Sequence, residues 1–333
     1  MGNSSRASAV PSPLDVVVGS VLPRVLEIAL LISVGVYVAN LAIAFGAIRK
    51  VATLSKPLTR PANLPVEVGT AILATTASPT AGYGMLAEFR ESGMLDDTAT
   101  LVAVTINTFF GFASHIFNFY VPVLIPILGL RVGLMYVGAR AAISLAITLT
   151  GIVGGALLLG EANVDSEARP DDLDVPDAED TTTAEKLREA AENTYGKLRG
   201  IVPRLAIIYT VVVLFTTYYD LHELTAVADP LATAVGLPGA AVPAITVFAV
   251  DTTSGALAIA PLVANATFTA RQAVATMLVG GIVSFAISTF KRSIPFQYSI
   301  WGATFGSKVI AVNTTLKVVF ITAALAVLLI PPV

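Results

Sequence analysis

Ala77-Ser78-Pro79-Thr80-Ala81-Gly82-Tyr83-Gly84 interrupts an otherwise apolar stretch over residues 66–89, and Ala249-Val250-Asp251-Thr252-Thr253-Ser254-Gly255 interrupts a second one over 239–265. Both runs put helix breakers and hydroxyls where a bilayer would otherwise meet hydrocarbon. An unwound backbone is tolerated at that depth only where protein or a water-filled cavity surrounds it. The two runs stand in register 173 residues apart, with Thr80 recurring as Thr253 and Gly82 as Gly255. The same offset carries residues 57–149 onto 230–322 without a gap. Pro57-Leu58 recurs as Pro230-Leu231, Leu64-Pro65 as Leu237-Pro238, Phe112-Ala113 as Phe285-Ala286, Pro122 as Pro295, Gly129 as Gly302 and Gly133 as Gly306. Prolines and glycines held in register mark backbone requirements, which shared greasiness would not produce. The chain reads as an internal duplication.

Composition sets the medium. A chain of 333 residues that is 55% hydrophobic and 13% charged, with a mean hydropathy of +0.79, carries more apolar surface than one water-soluble core can hide. Eight hydrophobic segments are expected, at 24–48, 66–89, 98–120 and 133–159, then 203–219, 239–265, 270–290 and 304–329. The expected fold is an all-α polytopic membrane protein of two repeats. Each repeat supplies one transmembrane helix, one re-entrant helical hairpin and two further transmembrane helices. Residues 1–160 form the first repeat, 161–200 an acidic linker with a short amphipathic helix, and 201–333 the second repeat.

Lys and Arg counts choose hairpins over crossings for 66–89 and 239–265. If both segments crossed, the two sides would hold seven and ten basic residues. As hairpins they give thirteen against four, a clear positive-inside signal. Three crossings per half then force the halves into opposite orientations. The expected arrangement is a multi-pass protein of the cell membrane with both termini outside and the central acidic loop cytoplasmic. Inverted repeats with broken helices at the midplane are the architecture of many secondary transporters.

Residues 161–192 hold 12 of the 23 acidic residues. The stretch 161–183 reads as a disordered linker whose acidity suits a salt-rich, halophilic-like cytoplasm. Thr182 and Glu185 form a capping box for a helix to about Leu198. Residues 1–13 carry no secretory pattern, and Arg6 stands where N-myristoylation needs Ser or Thr. Zero cysteines exclude thiolate metal sites and cysteine nucleophiles, and two histidines cannot build a histidine cage. No phosphate-binding loop, Gly-x-Ser-x-Gly elbow or His-Glu-x-x-His helix is present, so no enzyme activity, cofactor, metal site or nucleic-acid partner is expected.

The broken runs are the site candidates, because freed amides and carbonyls can hold ions or polar solutes. These are Ser78, Pro79, Thr80 and Gly82 in the first, and Asp251, Thr252, Thr253, Ser254 and Gly255 in the second. Asp251 is the acidic residue deepest in the apolar core, so it must be paired, protonated or bound to a cation. Arg140 and Lys317 are its expected charge partners, and these cations also admit an anionic substrate. Lys308 is expected to snorkel to the interface. Asn107, Ser114 and Asn118 share one helical face, as a cavity lining or an interhelical hydrogen-bond seam requires.

The hairpin, crossing, crossing order, together with SPTAGYGMLAEF at 78–89 and HIFNFYVPVLIPILG at 115–129, resembles the Gate, or nucleoside recognition, family of membrane proteins. That family is related to the transport core of concentrative nucleoside transporters and to the Gate regions of ferrous iron permeases. Where the nucleoside transporters carry Gln-Thr-Glu-Ala-Pro, this chain has Ala77-Ser78-Pro79-Thr80-Ala81. The resemblance implies a secondary transporter of a small polar solute, a nucleoside-like compound or an ion, coupled to Na⁺ or H⁺. The alternative is a non-transporting Gate-fold scaffold or sensor acting with a partner protein. Lipid is the expected surround, and association with further copies of the chain is left open.

Overall fold

A computed structural model of the chain describes residues 12–45, 59–165, 167–168, 182–218, 232–233 and 236–330. The described residues are helical apart from turns and one β-bridge, Leu95 to Val164. The repeat's first matches, Pro57-Leu58 and Pro230-Leu231, most of the acidic linker and the two termini lie outside them.

Helix α1 runs through Pro13–Val16, a π turn at Val17–Val21 and Leu22–Ala44. It starts eleven residues before the expected 24. The cause is a capping box: Asp15 N–H donates to Ser12 Oγ and Ser12 N–H to the Asp15 carboxylate, both at 3.2 Å, with Pro13 preset to helical φ. Then come α2 (Val66–Ala77) and α3 (Pro79–Glu91). Helix α4 runs from Asp97 to Leu128 through a break at Asn107 and a π segment at Ile116–Leu124, and α5 is Leu130–Leu158.

In the second half, α6 is Thr183–Tyr218, α7 Ala241–Val250, α8 Thr252–Ala264, α9 Ala270–Ser288 and α10 Ile294–Leu329. The expected linker helix and fifth crossing are thus one helix carried through Pro203. Losing one backbone bond there is offset by packing along α1, where the Asn40 amide donates to Ala190 O and Thr194 Oγ1 at 3.4 Å. The start of the linker is ordered too: Asp96 N–H donates to Asn163 O at 3.1 Å and Asp165 N–H to Met94 O at 3.0 Å. Residues 169–181 lie outside the described residues.

Among the described residues six helices, α1, α4, α5, α6, α9 and α10, are long and apolar enough to cross a membrane. Large apolar side chains lie exposed along them, among them Leu26, Leu30 and Val38 on α1 and Leu134, Leu149 and Leu157 on α5. Such exposure suits lipid contact. This is a multi-pass helical membrane protein.

Backbone exceptions fall at the sequence offset. The positive-φ residues among those described make three pairs, each 173 apart: Asn63 (53°) with Gly236 (72°), Gly93 (85°) with Ala266 (56°), and Gly129 (80°) with Gly302 (70°). The π turns at Ile116 and Thr289 are separated by the same number. Gly129 divides α4 from α5, and Gly302 kinks α10 with ψ 169°.

Helices α2 and α3 fold back on each other at Ser78, which is extended (φ −142°, ψ 110°) and accepts Ala81 N–H as N-cap. A Cβ added to Gly82 would meet Thr75 Oγ1, Thr75 N at 2.5 Å and Ala71 O at 2.6 Å. A continuous helix would hold residues 75 and 82 about 10 Å apart. Helices α7 and α8 repeat the fold-back at Asp251 (φ −150°, ψ 123°), where a Cβ at Gly255 would strike Phe248. The ends of each pair converge. Asn63 donates to Leu159 O at 3.1 Å while Asp96 accepts from Asn163 at 2.7 Å, so both ends of α2–α3 meet the turn after α5. For α7–α8, Gly236 lies against Leu329, and Arg271 donates to Val327 O and Ile330 O at 3.2 and 3.1 Å.

Candidate functional site

A cavity of about 280 Å³ opens beside the first fold-back. Its polar lining is Thr75 and Tyr83 from α2–α3, Asn107, Thr108 and His115 from α4, Arg140 and Ser144 from α5, and Asn313 and Lys317 from α10; Pro79, Gly111, Phe112 and Phe296 complete it. Asn107 sits where α4 breaks, and its amide donates to Thr75 Oγ1 at 2.9 Å. The Asn107 Oδ1 is buried without a partner, as is Arg140 Nε. The Arg140 guanidinium reaches Tyr120, whose ring packs near Tyr136 at 6.1 Å; Tyr136 in turn lies 6.4 Å from Phe248. On the opposite wall Tyr83 meets Phe296 and Trp301 edge to face at 5.6 and 6.3 Å.

The lining draws on both halves at matching places. Arg140 stands 173 residues before Asn313, and Ser144 the same distance before Lys317. Arg140 and Ser144 are one turn apart on α5, as Asn313 and Lys317 are on α10, so each helix presents neighbouring side chains to one chamber. The packing around it is reciprocal: α5 contacts α9, α10 contacts α4, and α5 and α10 contact each other. The hairpin environments differ, however. Positions 75 and 107 are Thr and Asn, sharing a hydrogen bond beside the cavity. Their counterparts are Phe248 and Gly280, where the buried ring fills the space that the missing side chains of Gly280 and Gly255 leave. One half is opened by a polar pair and the other plugged by an aromatic ring.

Of the residues expected from sequence, Pro79, Asn107, Arg140 and Lys317 line this chamber. Ser78 and Thr80 are exposed at the tip, and Gly82 is buried at the α2–α3 contact. Ser114 and Asn118 are not in the chamber lining; the Asn118 amide donates to Ser114 O and Oγ at 3.0 and 3.3 Å, within its own helix. Thr252, Thr253, Ser254 and Gly255 belong to the second tip, away from the chamber lining. Thr75, Tyr83, Thr108, Ser144, Asn313 and Phe296 were missed. For Ser144 and Asn313 the signal was available, since laying the halves in register sets them opposite Lys317 and Arg140.

Asp251 corrects a pairing. Its carboxylate accepts from Arg204 Nη1 at 2.9 Å and from Ser254 N–H and Oγ at 2.7 Å each. Arg204, on α6, is the charge partner in place of Arg140 or Lys317, because the second fold-back packs α8 against α6. Lys308 has a half-exposed head group with an ion-pair partner: Nζ is 2.8 Å from Asp97 Oδ2. Arg90 is 2.7 Å from Asp97 Oδ1 and sits over the Phe305 ring at 4.2 Å. That network ties the first fold-back to α10.

Among curated proteins, the chain is similar to two uncharacterized proteins of Methanocaldococcus jannaschii. It is 26% identical to MJ0880 over 303 residues, 90% of this chain and 95% of the relative. It is 23% identical to MJ0871 over 306 residues, 90% of this chain and 92% of the relative. No protein-family model matches the chain, and no solved structure does. Both similarities run nearly end to end.

Proposed function

We propose that this protein is a secondary transporter of a small polar solute, working by alternating access around its two folded-back helix pairs. The observation that carries it is the chamber itself: a polar cavity at a helix break, lined by α5 and α10 through positions equivalent under the 173-residue offset. Substrate sites of inverted-repeat transporters lie at such a repeat interface. Support for the re-entrant, inverted arrangement comes from the paired backbone exceptions and from each fold-back returning both ends to one place. The Gate-like resemblance points the same way, and the Lys and Arg count favours termini outside and the acidic loop in the cytoplasm.

Asp251 is where Na⁺ or H⁺ would couple. Its carboxylate caps α8 and holds Arg204 at once, so protonation or cation capture weakens both contacts and frees the second fold-back from α6. The test is tracer flux into proteoliposomes, with uridine, succinate and inorganic phosphate offered under inward Na⁺ or H⁺ gradients. Gradient-driven accumulation above protein-free liposomes is expected, lost in Asp251→Asn with the fold kept. Flux no greater than in protein-free liposomes under every gradient refutes transport, and wild-type accumulation in the variant removes the coupling role.

A scaffold or sensor is the second reading. It draws on Leu187 and Tyr195, 41% and 69% exposed on the polar front of α6, as a docking face. Capture of a partner there, with a flux-dead chamber, would favour it.

A further inference from the structure

Two basic side chains line the chamber, Arg140 from one half and Lys317 from the other, with His115 beside them; among the described residues no carboxylate lines it. Asp251 and Asp97 are held elsewhere, by Arg204 and by Arg90 and Lys308. The guanidinium has a phenol partner in Tyr120 but keeps a buried Nε–H unused, and Lys317 has no ion pair among the described residues. Cations brought together in a low-dielectric site without a counter-charge leave an attractive field for an anion, and guanidinium and ammonium donors match a carboxylate or phosphate oxygen. Thr75, Ser144 and Asn313 add neutral hydrogen-bonding groups around the same space.

Resting on the transporter reading, we infer that the solute is a small soluble oxyanion, its carboxylate or phosphate group held between Arg140 and Lys317. The remaining polar lining serves the rest of the solute, and the Tyr83, Phe112 and Phe296 rings bound its size.

The experiment is a thermal-shift and calorimetric titration of the full chain in a neutral maltoside detergent, with succinate, inorganic phosphate and uridine as probes. Succinate or phosphate should raise Tm, and uridine should not. Lys317→Gln and Asn313→Asp should each weaken oxyanion binding about tenfold or more. Asn313→Asp is nearly isosteric and leaves both cations in place, so it reports charge even if a cation deletion unfolds the protein. Stabilisation by uridine alone, unchanged oxyanion affinity in both variants, or stabilisation by added phosphatidylglycerol but by neither soluble probe overturns the inference. Oxyanion binding without flux in liposomes would remove transport and leave the site standing. Flux of uridine without oxyanion binding would do the reverse.

Discussion

Two glycines on α3 give the sharpest test of the fold-back. Gly82 and Gly84 lie two residues apart on the same helix, yet a Cβ at 82 meets Thr75 N at 2.5 Å and Ala71 O at 2.6 Å, while a Cβ at 84 meets nothing within 4 Å. Gly→Ala in a helix is worth up to about 1 kcal/mol in propensity, so Gly84→Ala should be neutral or stabilising. Gly82→Ala receives the same gain but must move backbone, and overpacking costs about 1–3 kcal/mol when the neighbours cannot yield. The propensity gain cancels between the variants, so a gap of about 1–3 kcal/mol follows, which for a chain of this length is about 1–4 °C in Tm. Trp301, 6.3 Å from Tyr83 of α3, supplies a fluorescence probe next to the contact. Thr75→Ala should not rescue Gly82→Ala, because the obstructing amide and carbonyl are backbone. Equal melting of the two alanine variants would refute the folded-back geometry, since on a straight helix neither position meets α2.

At the second tip, Asp251→Asn should cost about 1 kcal/mol, because Asn keeps the cap on Ser254 and loses only a partly exposed ion pair; Asp251→Ala should cost about 1 kcal/mol more. Melting curves that rank Asn below Ala would contradict this order. Asp97→Asn leaves Arg90 and Lys308 without their shared carboxylate and should lower stability by about 1–2 kcal/mol, partly restored by Lys308→Met, as read by denaturant titration. Phe248→Ala should cost about 3–5 kcal/mol, because Gly255 and Gly280 offer no side chains to refill the space. A loss under 1 kcal/mol would mean that the ring is not the plug of the second half.

Much of the architecture was legible locally. Breakers at 77–84 and 249–255 mark the fold-backs because proline, glycine and capping residues act through their own backbone. The register of Gly129 with Gly302 recovered a shared positive φ without knowledge of any contact. The errors were of two local kinds. The Ser12-Asp15 capping box starts α1 at Pro13 and not at 24, and α6 passes through Pro203, where the hydropathy segment starts.

Hydropathy and turn chemistry therefore sufficed for the membrane class and the broken segments. Which charges meet was decided by helix packing. Arg140 and Lys317 are 177 residues apart and share a chamber, while Asp251 finds Arg204 across a different interface. Propensity is a property of a few neighbouring residues, but the field in a cavity sums over side chains that only the assembled helices bring together.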